Sequence, residues 1–173
     1  MKKILLYGLD SEKTKITEKV AEKFEIQINK INKENLEEKV GELFNLDLRE
    51  NNPVEDENKL MVFSDFDRNI LRDFLMALKN EGVMLDNKCV LTKTNREWTF
   101  GFLMGHIADE HRVVMKFREL GGLVKMALDK LDKEMDPKLM DIVERAIENK
   151  NKELDEEKID ADIRDLKEKL NLK

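Results

Sequence analysis

Apolar residues along the chain fall into two patterns, short continuous runs and runs spaced by three or four. Ile4-Leu5-Leu6-Tyr7, Leu60-Met61-Val62-Phe63 and Cys89-Val90-Leu91 are continuous, as expected of strands covered on both faces. Ile26 and Ile28 alternate with Gln27 and Asn29, which suits a half-buried strand nearer a sheet edge. Helical spacing joins Ile16, Val20 and Phe24, then Leu36, Val40, Leu43 and Phe44, then Ile70, Leu71, Phe74, Leu75 and Leu78. Asn45 to Asn58 is polar and acidic, contains Pro53 and predicts a surface loop. The order βαβαβαβα, with helices crossing between buried strands, predicts an α/β fold with a parallel sheet and right-handed connections. The simplest layout is a small four-stranded parallel sheet, flavodoxin-like, in the order 2-1-3-4.

The fourth strand leads through Thr92-Lys93-Thr94-Asn95 into a helix of roughly six turns, ending near Arg118. This helix carries two apolar stripes. Phe100, Leu103, Met104, Ile107, His111, Val114 and Met115 form the first, facing the sheet. Phe102, Val113 and Phe117 form the second, which requires another partner, either C-terminal helices or a second subunit. Gly121-Gly122 predicts a break or sharp bend. Beyond it, Val124 to Met135, Met140 to Ile147 and Ile159 to Leu170 repeat as helices, the middle one opened by Asp136-Pro137. The expected organisation is a sheet domain over 1–120 and a helical extension over 121–173. No repeat at a solenoid period stands out.

Charge changes this picture little. Charged residues make up 40% of the chain and the net charge is −6, with both signs interspersed, which argues against a general nucleic-acid binder. No apolar run of about 18 residues predicts a membrane span. The single cysteine, Cys89, excludes an intrachain disulfide and fits a reducing compartment, so a cytoplasmic protein is expected.

Three segments carry a resemblance. They are Lys3-Ile4-Leu5-Leu6-Tyr7-Gly8, the Val62-Phe63 strand and above all Leu91-Thr92-Lys93-Thr94-Asn95-Arg96-Glu97-Trp98. Together with Glu110-His111 in the following helix, they resemble a small bacterial family known only as a domain of unknown function, whose members share a Leu-Thr-x-Thr-Asn-x-x-Trp segment. The resemblance spans about residues 1–118. It implies a compact α/β domain and no stated activity, cofactor or site residue.

Chemistry in a parallel sheet concentrates outside the strand carboxyl ends. There the sequence places Asp10, Asp65, Asp67, Thr92 and Asn95, an acid, hydroxyl and amide set that could bind phosphate or magnesium. The paired acids and fifth-strand lysine of a phosphoacceptor receiver are missing, and no glycine-rich phosphate loop is present. Helix N-caps are the commoner use of such residues. His106 and Glu110 share a helix face, but His106 and His111 diverge by about 140°, so no metal site is predicted. No cofactor is implied. The leading expectation is a non-enzymatic interaction or self-association module, a homodimer or a partner-binding protein, using the long helix and the C-terminal helices. The alternative is a small-ligand or phosphate/magnesium site at the carboxyl edge, with catalysis left open.

Overall fold

The computed structural model describes residues 1–64, 66–152 and 155–172. The chain divides into two compact units, Met1–Asp109 and Glu110–Lys173.

The first unit is an α/β layer structure. Strands β1 (Lys2–Tyr7), β2 (Ile26–Lys30), β3 (Leu60–Phe63) and β4 (Lys88–Val90) form one sheet in the order β2-β1-β3-β4. The order is the expected one, but the sheet is mixed. β1 and β2 are parallel, β3 and β4 are parallel, and the central pair β1 and β3 is antiparallel. The reason lies in the connection from β2 to β3. It holds a 3₁₀ turn (Lys33–Glu37), a four-residue helix α2 (Val40–Leu43) and the loop over 45–58, and it returns to the end of the sheet that it left. A parallel β3 would need a crossover to the far end. The helix expected over Leu36 to Phe44 is accordingly reduced to that short pair of turns. β4 is an edge strand of three residues with Lys88 and Val90 exposed, not the buried strand its apolar composition predicts.

Helices α1 (Ser11–Lys23) and α3 (Arg68–Asn80) cover one face of the sheet. There Ile4, Leu6, Ile28, Met61 and Phe63 meet Val20, Ala21, Phe74 and Leu78. On the other face Leu5, Tyr7, Leu60 and Val62 meet Val40, Leu43, Phe100 and Leu103, the last two from the start of α4 (Phe100–Lys133). Alternation along β1 and β3 thus feeds two separate cores, as a sheet covered on both faces requires.

The unit is built twice. β1-α1-β2 and β3-α3-β4 are related by a pseudo-twofold axis through the sheet at the Leu5–Val62 pair. Ile4 opposite Phe63 is matched by Met61 opposite Leu6. α1 and α3 have equal lengths, begin at the caps Asp10 and Asp67, and are followed by the positive-φ residues Glu25 and Gly82. Ile31 N–H donates to Leu6 O at 2.9 Å, and Leu91 N–H donates to Phe63 O at 2.8 Å. Each half then makes a 3₁₀ turn, Lys33–Glu37 or Asn95–Glu97, and the two segments cross at the Lys39–Thr99 bridge. The crossing is reciprocal. Val40 N–H donates to Trp98 O at 2.9 Å, and Phe100 N–H donates to Glu38 O at 3.0 Å. Both halves place glycine at the point of closest approach. A Cβ on Gly41 would lie 3.1 Å from Arg96 O, and one on Gly101 would lie 3.2 Å from Leu36 O. The sequence trace of the repeat is slight: Lys33, Asn35, Glu37, Gly41 and Leu43 correspond to Lys93, Asn95, Glu97, Gly101 and Leu103.

The second unit is helical, comprising the remainder of α4 with α5 (Pro137–Lys150) and α6 (Glu156–Lys169). Leu120, Leu123, Val124 and Ala127 of α4 share a core with Leu139, Val143 and Ala146 of α5 and with Ile159, Ile163 and Leu166 of α6. α4 runs unbroken for 34 residues through Gly121-Gly122, where the sequence predicts a break. Burial of the apolar residues on either side of the glycines outweighs their low helix propensity. Asp162 is buried between α5 and α6, where its carboxylate accepts from Arg145 Nε at 2.7 Å and from Asn149 Nδ2 at 2.9 Å.

Candidate functional site

The antiparallel centre decides where the carboxyl-edge residues fall. β1 ends beside the start of β3, so Asp10 lies at the Tyr7 end of the sheet. Asp67, Thr92 and Asn95 follow β3 and β4 and lie at the opposite, Lys3 end. The structure does not bring Asp10 together with the other three. Asp65 lies outside the described residues.

Each described member of the set is engaged by nearby backbone. Asp10 caps α1, accepting from Lys13 N–H at 2.8 Å. Asp67 caps α3, accepting from Asn69 N–H at 2.8 Å and Ile70 N–H at 3.4 Å. Thr92 and Asn95 lock each other: Thr92 N–H donates to Asn95 Oδ1 at 2.7 Å, and Asn95 N–H donates to Thr92 Oγ1 at 3.0 Å. Asn95 is buried, and its Nδ2 also donates to Val90 O at 3.0 Å. The turn in the first half repeats this lock in part. Asn35 Oδ1 accepts from Asn32 N–H at 3.0 Å, and Asn35 N–H donates to Asn32 O at 3.1 Å. The Thr92-to-Trp98 segment is therefore the turn that carries β4 into the reciprocal crossing.

Around that crossing the surface is aromatic. Trp98, half-buried at the end of the 3₁₀ turn, meets Phe102 and His106 edge-on at 5.0 and 5.1 Å between ring centroids. Phe102 stacks against His106 at 6.3 Å and is 58% exposed. Lys39 Nζ and Glu97 Oε2 pair at 3.0 Å beside them, and the hydrogen bond from the ammonium to that carboxylate raises the Lys39 pKa. The second stripe of α4 is thus two different surfaces. Phe102 stays open in the sheet unit, whereas Phe117 joins the helical core with Lys150 Nζ 5.2 Å from its ring centroid, and Val113 is half-buried. His111 is half-buried, not enclosed as its place in the first stripe predicts. Cys89 packs against the β1/β3 core from the edge strand. Among the described residues, no group of three or more His, Cys, Asp or Glu side chains could hold a metal ion. No helix among them is long and apolar enough to cross a membrane.

One feature escapes sequence reading altogether, a groove of about 430 Å³ between α3 and β4. Leu71, Leu75, Met76 and Met84 line it, and its charged residues are Arg68, Arg72, Lys79 and Lys88. Met76 and Met84 are 58% and 68% exposed. The residues come from three segments, and only their cationic spacing on α3 could have hinted at the groove.

Residues 59–114 match the family described as "Domain of unknown function (DUF3783)". The matched residues span β3, α3, β4, the second 3₁₀ turn and the beginning of α4, which is the second half of the repeat. The Thr92-to-Trp98 segment lies inside the match. The first strand, which the resemblance included, lies outside it. No curated protein and no solved structure matches the chain.

Proposed function

We propose that this α/β protein is a non-enzymatic interaction module of the cytoplasm that associates with a second copy of itself through the start of α4. The observation that carries the reading is the exposed Phe102 between Trp98 and His106. Exposed aromatic rings with a half-buried tryptophan behind them are the side chains that anchor protein interfaces. Lys39, Arg96 and Glu97 stand around the cluster and supply both signs of charge. An isologous dimer presents the same patch twice, so a mixed-sign rim can complement itself. The helical unit exposes a further apolar pair on α4, Val114 and Met115, available to the same kind of contact. That Asp10, Asp67, Thr92 and Asn95 are held in caps and turns supports a binding role over catalysis at the strand ends.

Light scattering of the full chain over a range of concentrations tests the reading. A concentration-dependent dimer that Phe102→Glu converts to monomer is expected. A wild-type chain that stays monomeric throughout, or a dimer indifferent to Phe102→Glu, would rule out self-association by this surface.

A further inference from the structure

We infer that the α3–β4 groove binds a short acidic segment of a partner protein, one in which leucine- or methionine-like side chains are interspersed with glutamate or aspartate at helical spacing. This goes beyond the self-association reading and rests on a different surface, on the other face of the sheet. Two properties of the groove specify the occupant. Its walls are apolar, with Leu71 and Leu75 half-buried and Met76 and Met84 standing at its lips. Among the described residues its charged lining is cationic, with Arg68, Arg72 and Lys79 along α3 and Lys88 opposite on β4. Arg72 also pairs with its neighbour Asp73 at 3.1 Å, but both are more than half exposed, so this pair competes weakly.

The repeat supplies an internal control. The corresponding groove of the first half, between α1 and β2, is lined by Glu18, Glu22, Glu25 and Glu50, with Lys30 and Arg49 among them. The two outer edges therefore differ in charge, with acids in excess at the first and bases at the second. A cationic apolar groove is not a by-product of the fold, and in a chain of net charge −6 it is a local departure from the average. The first-half edge is itself concave and mostly polar, so a second copy cannot fill the α3–β4 groove with it. A convex segment can, setting apolar side chains between the methionines and carboxylates against the guanidinium and ammonium groups. Methionine adapts to varied apolar side chains, and cationic rims speed the encounter with acidic partners. The single sign of this rim also separates it from the mixed-sign Phe102 surface, which suits a copy of itself.

The test is a fluorescence-anisotropy titration of the full chain with a fluorescein-labelled peptide of leucine and glutamate in helical spacing. Two control peptides replace every glutamate by lysine or every leucine by serine. The acidic apolar peptide should bind and both controls should fail. Arg72→Glu with Lys79→Glu should weaken binding by about tenfold or more, as should Met76→Asp, because charge and apolar contact contribute together. Phe102→Glu should leave peptide binding unchanged, so loss of self-association and loss of peptide binding are separately visible. All these side chains are exposed, and an unchanged circular-dichroism melt shows that each variant folds; Met84→Ser replaces Met76→Asp if that variant does not. No binding of the acidic peptide up to millimolar concentration overturns the inference. So does tighter binding of a single-stranded RNA or of anionic lipid vesicles that survives Met76→Asp, since that would make the groove a simple cationic patch.

Discussion

The two halves of the sheet unit share a backbone and differ in almost everything they attach to it. In the first half α1 buries Thr14, Thr17, Val20 and Ala21; in the second α3 buries Phe74 and Leu78. Thr17 and Phe74 stand at corresponding positions, both fully enclosed. α1 thus offers a small-residue face into which the large residues of α3 pack, with Phe74 edge-on to Phe24 at 5.8 Å. Two helices on one sheet face compete for the same volume, and close packing is satisfied by one large and one small set, not by two equal ones. The repeat therefore persists in hydrogen bonds and close approaches, where backbone geometry leaves no choice, and is lost in side-chain size and charge.

The largest predicted effect follows from that asymmetry. Phe74→Ala should destabilise the protein by about 3–5 kcal/mol, the usual range for emptying a buried aromatic site. Thr17→Ala removes a hydroxyl that donates to Lys13 O at 2.8 Å together with one buried methyl group, and should cost about 2 kcal/mol. Urea unfolding followed by circular dichroism measures both. Equal losses at the two positions would mean that α1 and α3 contribute alike and that the packing account is wrong.

A second, smaller contrast concerns the turns. Asn95→Ala leaves two backbone groups, the part-buried Thr92 N–H and Val90 O, without their partner, and about 2–3 kcal/mol should be lost. Asn35→Ala removes an acceptor for one backbone group, Asn32 N–H, and a donor to the side chain of Glu38 at Oε1, 3.0 Å away, which can turn to water, and should cost roughly half as much. The same urea midpoints decide it. A larger loss at Asn35 than at Asn95 would show that the first-half turn, not the family-matched one, secures the crossing.

Much of this was open to reading from residue order, and the remainder failed for identifiable reasons. Continuous apolar runs mark β1 and β3 because both are covered on two faces, and an aspartate ahead of a helical period marks the caps Asp10 and Asp67. β4 misled because three residues at an edge keep an apolar composition without the burial. The sense of β3 was hidden in the segment over 31–58. Its apolar spacing at Leu36, Val40 and Leu43 imitates a crossover helix, and only the packing shows that it turns back. That reversal separates Asp10 from Asp67, Thr92 and Asn95, so a site drawn on one edge becomes residues at two ends. The repeat itself left a handful of shared residues around Asn35 and Asn95, too few to detect without the reciprocal hydrogen bonds. The α3–β4 groove left still less, since Met76 and Met84 look like ordinary apolar positions until the fold exposes them.

The smallest effect lies where the axis relates Tyr7 to Ser64. Ser64 Oγ accepts from Lys3 N–H at 2.8 Å at one end of the sheet, a short bond within the strand pair. At the other end Tyr7, buried against Phe100, reaches out of the sheet and donates its hydroxyl to Asp56 Oδ2 at 2.7 Å, fastening the loop before β3. Burial, reinforced by the hydrogen bond to Asp56 and its negative charge, pushes the Tyr7 phenol up to about 12. The Asp56 carboxyl is held low, first by that same hydrogen bond and then by the Asn58 N–H. The signs follow from linkage. Tyr7, raised in the folded state, contributes stability that is complete below the ordinary tyrosine value near 10 and is lost as pH rises towards about 12. Asp56, lowered, contributes above the ordinary carboxylate range and loses its contribution as pH falls through its folded value. The chain has a single tyrosine, so the tyrosinate absorbance reports this residue alone. Its midpoint should lie near 12 in the wild type and move down in Asp56→Asn, while Tyr7→Phe should cost about 1 kcal/mol at neutral pH. A midpoint near 10 with the circular-dichroism spectrum unchanged would mean that the phenol is open to water. The loop would then be held at Asp56 by its backbone N–H, which donates to Gly8 O at 3.1 Å, and not by the phenol.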